Sequence, residues 1–223
     1  QHVGPSVRNV EPGDLVVFTV RRPGHSLYDQ MGLQDLTTDD EYYERGISKR
    51  HGFLTERVVD AAEFAVKVPA SLGVLGVLLE PTSIVEKAVR QAYLIQQRLG
   101  VWRPRRALVL GAGPLGLLAT MALRVRGLEV VTFARSETTS RGAELVEAVG
   151  ARYVSAKDAS LASVAQSMGN IDLILEATGF SPLVFEAMER LGRNGVLVLT
   201  GIAGGDRTTD GVHADHILQG FVL

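Results

Sequence analysis

The residues Gly111-Ala112-Gly113-Pro114-Leu115-Gly116 have types and spacing suited to one piece of chemistry, holding a pyrophosphate. The apolar run Ala107-Leu108-Val109-Leu110 enters them, and Leu117, Leu118, Met121, Ala122 and Val125 follow at helical spacing. That order predicts strand, glycine turn and helix. The first glycine permits the sharp turn, the second removes a side chain where a diphosphate must approach the backbone, and the third lets helix and strand pack closely. The helix then directs free N–H groups and its positive dipole end at the phosphates. G-x-G-x-x-G alone is a common pattern; the flanking strand and helix make it a dinucleotide site, with Gly111, Gly113, Pro114, Leu115 and Gly116 as its contacts.

Coenzyme choice is written one strand further on. Gly127 allows a turn into Leu128-Glu129-Val130-Val131-Thr132-Phe133, which ends at Ala134-Arg135-Ser136. A coenzyme without a 2′-phosphate is usually held there by an acidic residue accepting from both ribose hydroxyls. No acid stands at Ala134 or Ser136. Arg135 offers a cationic fork suited to a phosphate, and Ser136 adds a hydroxyl donor, so NADP is the expected coenzyme, with NAD second.

The elements that position these residues continue in alternation. Helical patterns over Glu144–Val149, Leu161–Met168 and Pro182–Leu191 are interleaved with strand patterns over Ala151–Val154, Ile171–Ala177 and Gly195–Thr200. Alternating strands and helices imply right-handed crossovers and a parallel, doubly wound sheet of the α/β class. Ligands of such sheets lie beyond the carboxyl ends of the strands. Thr178-Gly179 and Thr200-Gly201-Ile202 therefore fall on the nicotinamide side. Each pair alone merely ends a strand; the edge they share with Gly111–Gly116 assigns them to the coenzyme.

Composition excludes several other classes. The chain has 223 residues, 46% of them hydrophobic, enough for one large or two modest cores. With 23 basic and 25 acidic residues its net charge is -2, and no field invites nucleic acid or an anionic membrane. No apolar run approaches the ~20 residues that span a bilayer; a cytoplasmic location is expected. There is no cysteine, hence no disulfide, thiolate ligand or thiol nucleophile. G-x-S-x-G and H-E-x-x-H do not occur, and Leu117-Leu118 stand where a Walker loop needs Lys and Ser/Thr.

Residues 1–70 differ in texture, with Pro12-Gly13 feeding a strand toward Phe18 and turn signals at Arg22-Pro23-Gly24, Gly46 and Gly52. A helix is predicted from Ser83 to Leu99. Ser83 and Glu86 have capping-box spacing, and Val85, Ala88, Val89, Ala92 and Ile95 form the apolar stripe. The chain opens without Met and stops at Leu223, where a further strand of the sheet would begin; both ends read as cuts in a longer enzyme.

The blocks Glu44-Arg45-Gly46-Ile47 with His51-Gly52-Phe53, then Leu79-Glu80-Pro81-Thr82-Ser83-Ile84-Val85-Glu86-Lys87-Ala88, then the glycine loop, resemble the medium-chain zinc-dependent alcohol dehydrogenases, most closely their archaeal-type glucose 1-dehydrogenase branch. The resemblance implies a partial, mostly β GroES-like catalytic domain over 1–82, a connecting helix over 83–100 and a C-terminally truncated Rossmann domain over 101–223. It also implies NADP-preferring oxidation of an aldose, glucose, at C1 to the lactone, the sugar hydroxyl acidified by a catalytic zinc as hydride passes to the nicotinamide. Polyol, secondary-alcohol or amino-alcohol oxidation and a non-catalytic dinucleotide sensor are the alternatives.

By the same resemblance Glu44 accepts hydrogen bonds from sugar hydroxyls, Glu80 lies at the zinc as ligand or substrate contact, and Thr19 falls in a region that reaches the sugar. The other zinc ligands of relatives fall upstream of Gln1, so this chain alone should bind the metal poorly and have little activity. Where relatives place a cysteine-rich lobe with structural zinc, this chain has His25, Ser26, Asp29 and Thr37, and no structural zinc is expected. His25, His51, His213 and His216 read as surface or loop residues; His213 and His216 are three apart on a helix-like stretch without a third ligand. A homo-oligomer is expected of the full-length enzyme.

Overall fold

The computed structural model describes residues 2–201 and the short strands Thr208–Thr209 and Val212–His213. The chain divides into two units, Gln1–Glu80 and Pro81–Leu223.

In the first unit, β1 (Val16–Phe18) follows the Pro12-Gly13 turn, which is closed by the Asp14 amide donating to the Glu11 carbonyl at 3.1 Å. Next come β2 (Arg21–Arg22), α1 (Leu27–Gln30), β3 (Tyr43–Arg45), β4 (Lys49–Arg50) and β5 (Ala65–Lys67). β1 pairs antiparallel with β5, and β2, β3 and β4 form a small sheet in which Arg21 lies opposite Glu44.

The interior of this unit is strongly ionic. The Asp60 carboxylate accepts from Arg22 at 2.5 Å and lies 2.9 Å from Arg45, with side-chain exposures of 8%, 8% and 18% respectively. Arg22 covers the Phe64 ring at 4.0 Å, and Arg45 covers Phe53, which stacks on Phe18. Burial pushes the Asp60 carboxyl up, but the Arg22 hydrogen bond, the Ala61 amide and the two guanidinium charges outweigh it and hold the group below its ordinary value. A depressed folded pKa stabilises above the unfolded value of about 4, and that stability is lost as pH falls through the folded pKa. Asp60→Asn is expected to lower unfolding stability at pH 7 by about 3 kcal/mol, because it strands buried guanidinium charge. Denaturant melts should show the gap between wild type and variant closing as the solution is acidified below pH ~4.

The second unit holds β6 (Arg106–Leu110), α3 (Pro114–Val125), β7 (Glu129–Ala134), α4 (Arg141–Ala148), β8 (Arg152–Ser155), α5 (Leu161–Met168), β9 (Leu173–Glu176), α6 (Ser181–Arg190) and β10 (Val196–Leu199). Its first helix is the long α2 (Leu79–Gln96), which starts two residues before the boundary. The five strands run parallel in the order β10-β9-β6-β7-β8. Because successive side chains of a strand face opposite ways, Ala107 and Val109 join one core cluster with Val85, Val89, Ala119, Leu123 and Val146, while Leu108 and Leu110 join another with Leu161, Val164 and Ala187. Both faces are thus covered. Each element falls within a few residues of its sequence expectation, and Leu161–Met168 coincides with it.

One local signal misleads. Ser83 and Glu86 have capping-box spacing, yet α2 starts at Leu79 and Ser83 lies inside it. Pro81 is compatible with the first turn, where its missing N–H has no intrahelical partner to lose, so the chain enters the helix earlier, straight from the 3-10 run Ala70–Leu78. His213 also departs from expectation: it stands on the two-residue strand Val212–His213 rather than a helix, and His216 lies outside the described residues.

Candidate functional site

The glycine loop takes the form that its spacing predicts. Gly111 leaves β6 with φ 106°, a conformation that disfavours any side chain, and its amide donates to the Phe133 carbonyl at 2.8 Å. Gly116, in the first turn of α3, lies so close to Gly111 that an added Cβ would be driven into the Gly111 carbonyl oxygen and would stand 2.8 Å from its carbon. Gly113 is the opposite case: a Cβ there would meet nothing within 4 Å. It is the N-cap of α3, with no side-chain cap, and Pro114 occupies the first turn. The loop is therefore tight where helix meets strand and open at its middle glycine, with first-turn amides free of a side-chain acceptor. This is the shape and donor set that a pyrophosphate needs. Thr120 pins the helix from behind, its hydroxyl donating to the Gly116 carbonyl at 2.9 Å and pairing with Thr132 of β7 at 2.8 Å.

At the end of β7, Ala134 is buried and Arg135 and Ser136 are exposed. Arg135 makes no hydrogen bond or ion pair among the described residues, which leaves its guanidinium available to an anion. The Ser136 carbonyl is held by the buried Tyr153, whose hydroxyl donates to it at 2.9 Å. Tyr153 reads in sequence only as part of a short strand.

Thr178, Gly179, Thr200 and Gly201, the residues expected on the nicotinamide side, converge on one acid that the sequence pattern did not single out. Glu176, 1% exposed, ends β9. Its Oε1 accepts from the Thr178 amide at 2.5 Å, the Thr178 hydroxyl and the Gly179 amide at 2.9 Å. Its main-chain carbonyl accepts from the Thr200 amide at 2.9 Å, the Thr200 hydroxyl at 2.7 Å and the Gly201 amide at 3.2 Å. The available signal was a charged residue closing an otherwise apolar strand pattern. Ile202 lies outside the described residues.

In the first unit, the pairing of β2 with β3 places Arg21 across from Glu44, whose carboxylate lies 3.4 Å from the Arg21 guanidinium. Thr19 is exposed just before β2, and its carbonyl accepts from Arg22 at 2.7 Å. Glu44 thus stands on the small sheet, and Thr19 on the link between β1 and β2, its amide donating to the Phe64 carbonyl at 3.0 Å. Glu80 is half-buried in the first turn of α2 and already has an interaction partner. Ser26 and Asp29 cap α1 reciprocally, Asp29 accepting from the Ser26 amide at 2.9 Å and hydroxyl at 2.8 Å, while Thr37 donates to Ser26 at 2.9 Å. Their oxygens are thus engaged with one another. Among the described residues no group of three His, Cys, Asp or Glu could hold a metal ion, so Glu80 does not by itself form a zinc site. No helix among them is long and apolar enough to cross a membrane.

A five-stranded parallel sheet with its glycine cradle at the carboxyl edge defines a Rossmann-type dinucleotide-binding unit. A family model described as the glucose dehydrogenase C-terminus matches residues 73–223. Glucose 1-dehydrogenase of Methanocella arvoryzae is 44% identical over 225 residues, covering 98% of this chain and 62% of the relative. The structure of Haloferax mediterranei glucose dehydrogenase in complex with NADP, Zn and gluconolactone superposes with a TM-score of 0.83 at 33% identity, over 95% of this chain and 61% of that one. Galactitol-1-phosphate dehydrogenase from Escherichia coli, 24% identical, shares the fold with a TM-score of 0.76 over 97% of this chain and 61% of its own. The chain belongs to the glucose 1-dehydrogenase family, within the medium-chain alcohol dehydrogenase fold, and spans less than two thirds of the length of these relatives.

Proposed function

We propose that this chain supplies the coenzyme-binding part and a portion of the sugar site of an NADP-preferring glucose 1-dehydrogenase that oxidises the C1 hydroxyl to the lactone. The observation that carries the reading is the loop open at Gly113 and closed at Gly116, followed at the next strand end by a guanidinium without a partner among the described residues. Bound NADP would supply the hydride acceptor. The amides of Leu115 and Gly116 would hold its pyrophosphate, Arg135 and Ser136 its 2′-phosphate, and Thr178 and Thr200–Gly201 would border its nicotinamide half. Glu44, 3.4 Å from the Arg21 guanidinium, would accept from sugar hydroxyls, with Thr19 on the link that leads into β2. The relative's structure with Zn supports a metal in the complete enzyme, with Glu80 as the contribution of this chain; Glu80 alone does not hold one.

In domain terms, 1–82 would be part of the catalytic domain and 101–223 the dinucleotide domain, joined by the helix between them. Cytoplasmic location and homo-oligomerisation of the complete enzyme belong to the same proposal. The test is a panel on the intact enzyme: NADP and NAD, each with glucose, sorbitol or threonine. Glucose-dependent NADPH formation is expected. Turnover with sorbitol or threonine in its place would assign a polyol or amino-alcohol dehydrogenase, and NADP binding without turnover of any of them a coenzyme sensor.

A further inference from the structure

We propose that Glu176 is a positioning residue that fixes the nicotinamide edge of the site before coenzyme arrives. The inference rests on the reading that the glycine cradle takes NADP.

One residue joins three pieces of chain. Through Oε1 it gathers the Thr178 amide and hydroxyl and the Gly179 amide, shaping a turn in which Gly179 has φ 61°. Through its carbonyl it gathers the Thr200 amide and hydroxyl and the Gly201 amide, so the end of β10 is tied to the end of β9. The turn so shaped rests on the phosphate loop: a Cβ on Gly111 would lie 3.1 Å from the Ala177 carbonyl oxygen and 3.2 Å from the Thr178 methyl. The ends of β9 and β10 thus join at the Glu176 main chain, and its side chain shapes the turn that rests on the end of β6.

The anchor is a buried acid. Oε2 is buried with no hydrogen-bond partner among the described residues, and it faces Gly201, where a Cβ would stand 2.8 Å from it and still closer to the Gly179 main chain. A glutamine would keep the Oε1 acceptor but put an amino group where no acceptor waits. A buried carboxylate with one oxygen unsatisfied is costly to retain. Its return here is order at the residues that border the nicotinamide rather than packing, which an apolar side chain would supply at lower cost.

The experiment compares two ligands on wild type and Glu176→Gln: NADPH, which spans the whole site, and 2′,5′-ADP, which fills the adenosine half alone. Calorimetry gives the affinities, and fluorescence of bound NADPH reports the surroundings of the reduced ring. In Glu176→Gln 2′,5′-ADP is expected to bind within about twofold of wild type, NADPH about tenfold more weakly, with loss of the bound-state fluorescence change, on the scale of one charge-assisted hydrogen bond. An equal loss for both ligands, no loss for either, or unfolding of the nearly isosteric Glu176→Gln would overturn the proposal and leave Glu176 a sheet-holding residue. Failure of wild type to bind either ligand would instead remove the NADP reading itself.

Discussion

Gly113→Val is expected to abolish dinucleotide binding in a chain that still folds, whereas Gly116→Val is expected to damage the fold itself. Gly113 has φ -76° and ψ 179°, extended backbone that any residue adopts, and no atom lies within 4 Å of a Cβ built there. The stability cost is therefore no more than about 1 kcal/mol, the loss of a modest N-cap residue. The same open space is where the diphosphate must meet the main chain, and a branched side chain fills it. NADP affinity should fall by at least about 100-fold, roughly 3 kcal/mol. Gly116 has no such room. Its Cβ would be driven into the Gly111 carbonyl, so β6 and α3 must separate, at the ~1–3 kcal/mol or more typical of overpacking. Thermal melts and calorimetric titration of both variants separate the effects: tight NADP binding by Gly113→Val would falsify the cradle.

Arg135→Asp is expected to invert coenzyme preference. Arg135 is exposed and has no partner among the described residues, so its replacement removes no internal contact and the effect falls on the ligand. An aspartate replaces charge-assisted donation to a 2′-phosphate by repulsion, and offers the acceptor that a ribose diol uses. NADP should bind about 100-fold more weakly, approximately 3 kcal/mol, while NAD gains severalfold. Added salt should narrow the wild-type preference, since the exposed charge is screened. The check is a pair of dissociation constants for each coenzyme at low and high ionic strength. An unchanged ratio of NADP to NAD affinity in the variant would leave Arg135 without a role in selectivity.

The contrast between the two glycines shows how far local pattern reaches. Their spacing announces a phosphate loop, because turn, cap and helix start are decided within a few residues. Which of them is crowded and which is open depends on how close α3 comes to β6, a property of the folded sheet. The Ser83 capping box shows the opposite limit. A valid four-residue signal lost to an earlier helix start compatible with Pro81, because a cap competes with every other way of entering the same helix. The curated relatives place the chain in its family; the contacts of Glu44, Thr19 and Glu80 with a sugar or metal stay proposals tied to that kinship.

By itself the sequence determined the alternation of strands and helices, the glycine turn, the basic residue at the end of the second strand and the absence of thiol chemistry, all consequences of period, backbone freedom and side-chain type along short stretches. Only the tertiary structure decided that Asp60 lies between Arg22 and Arg45, that Tyr153 secures Ser136, and that Glu176 ties Thr178 to Thr200 and Gly201. Apart from the local contact of Glu176 with Thr178, these partners come from separate stretches of chain, 38 residues apart for Arg22 and Asp60, and meet through strand pairing and packing that no local periodicity encodes.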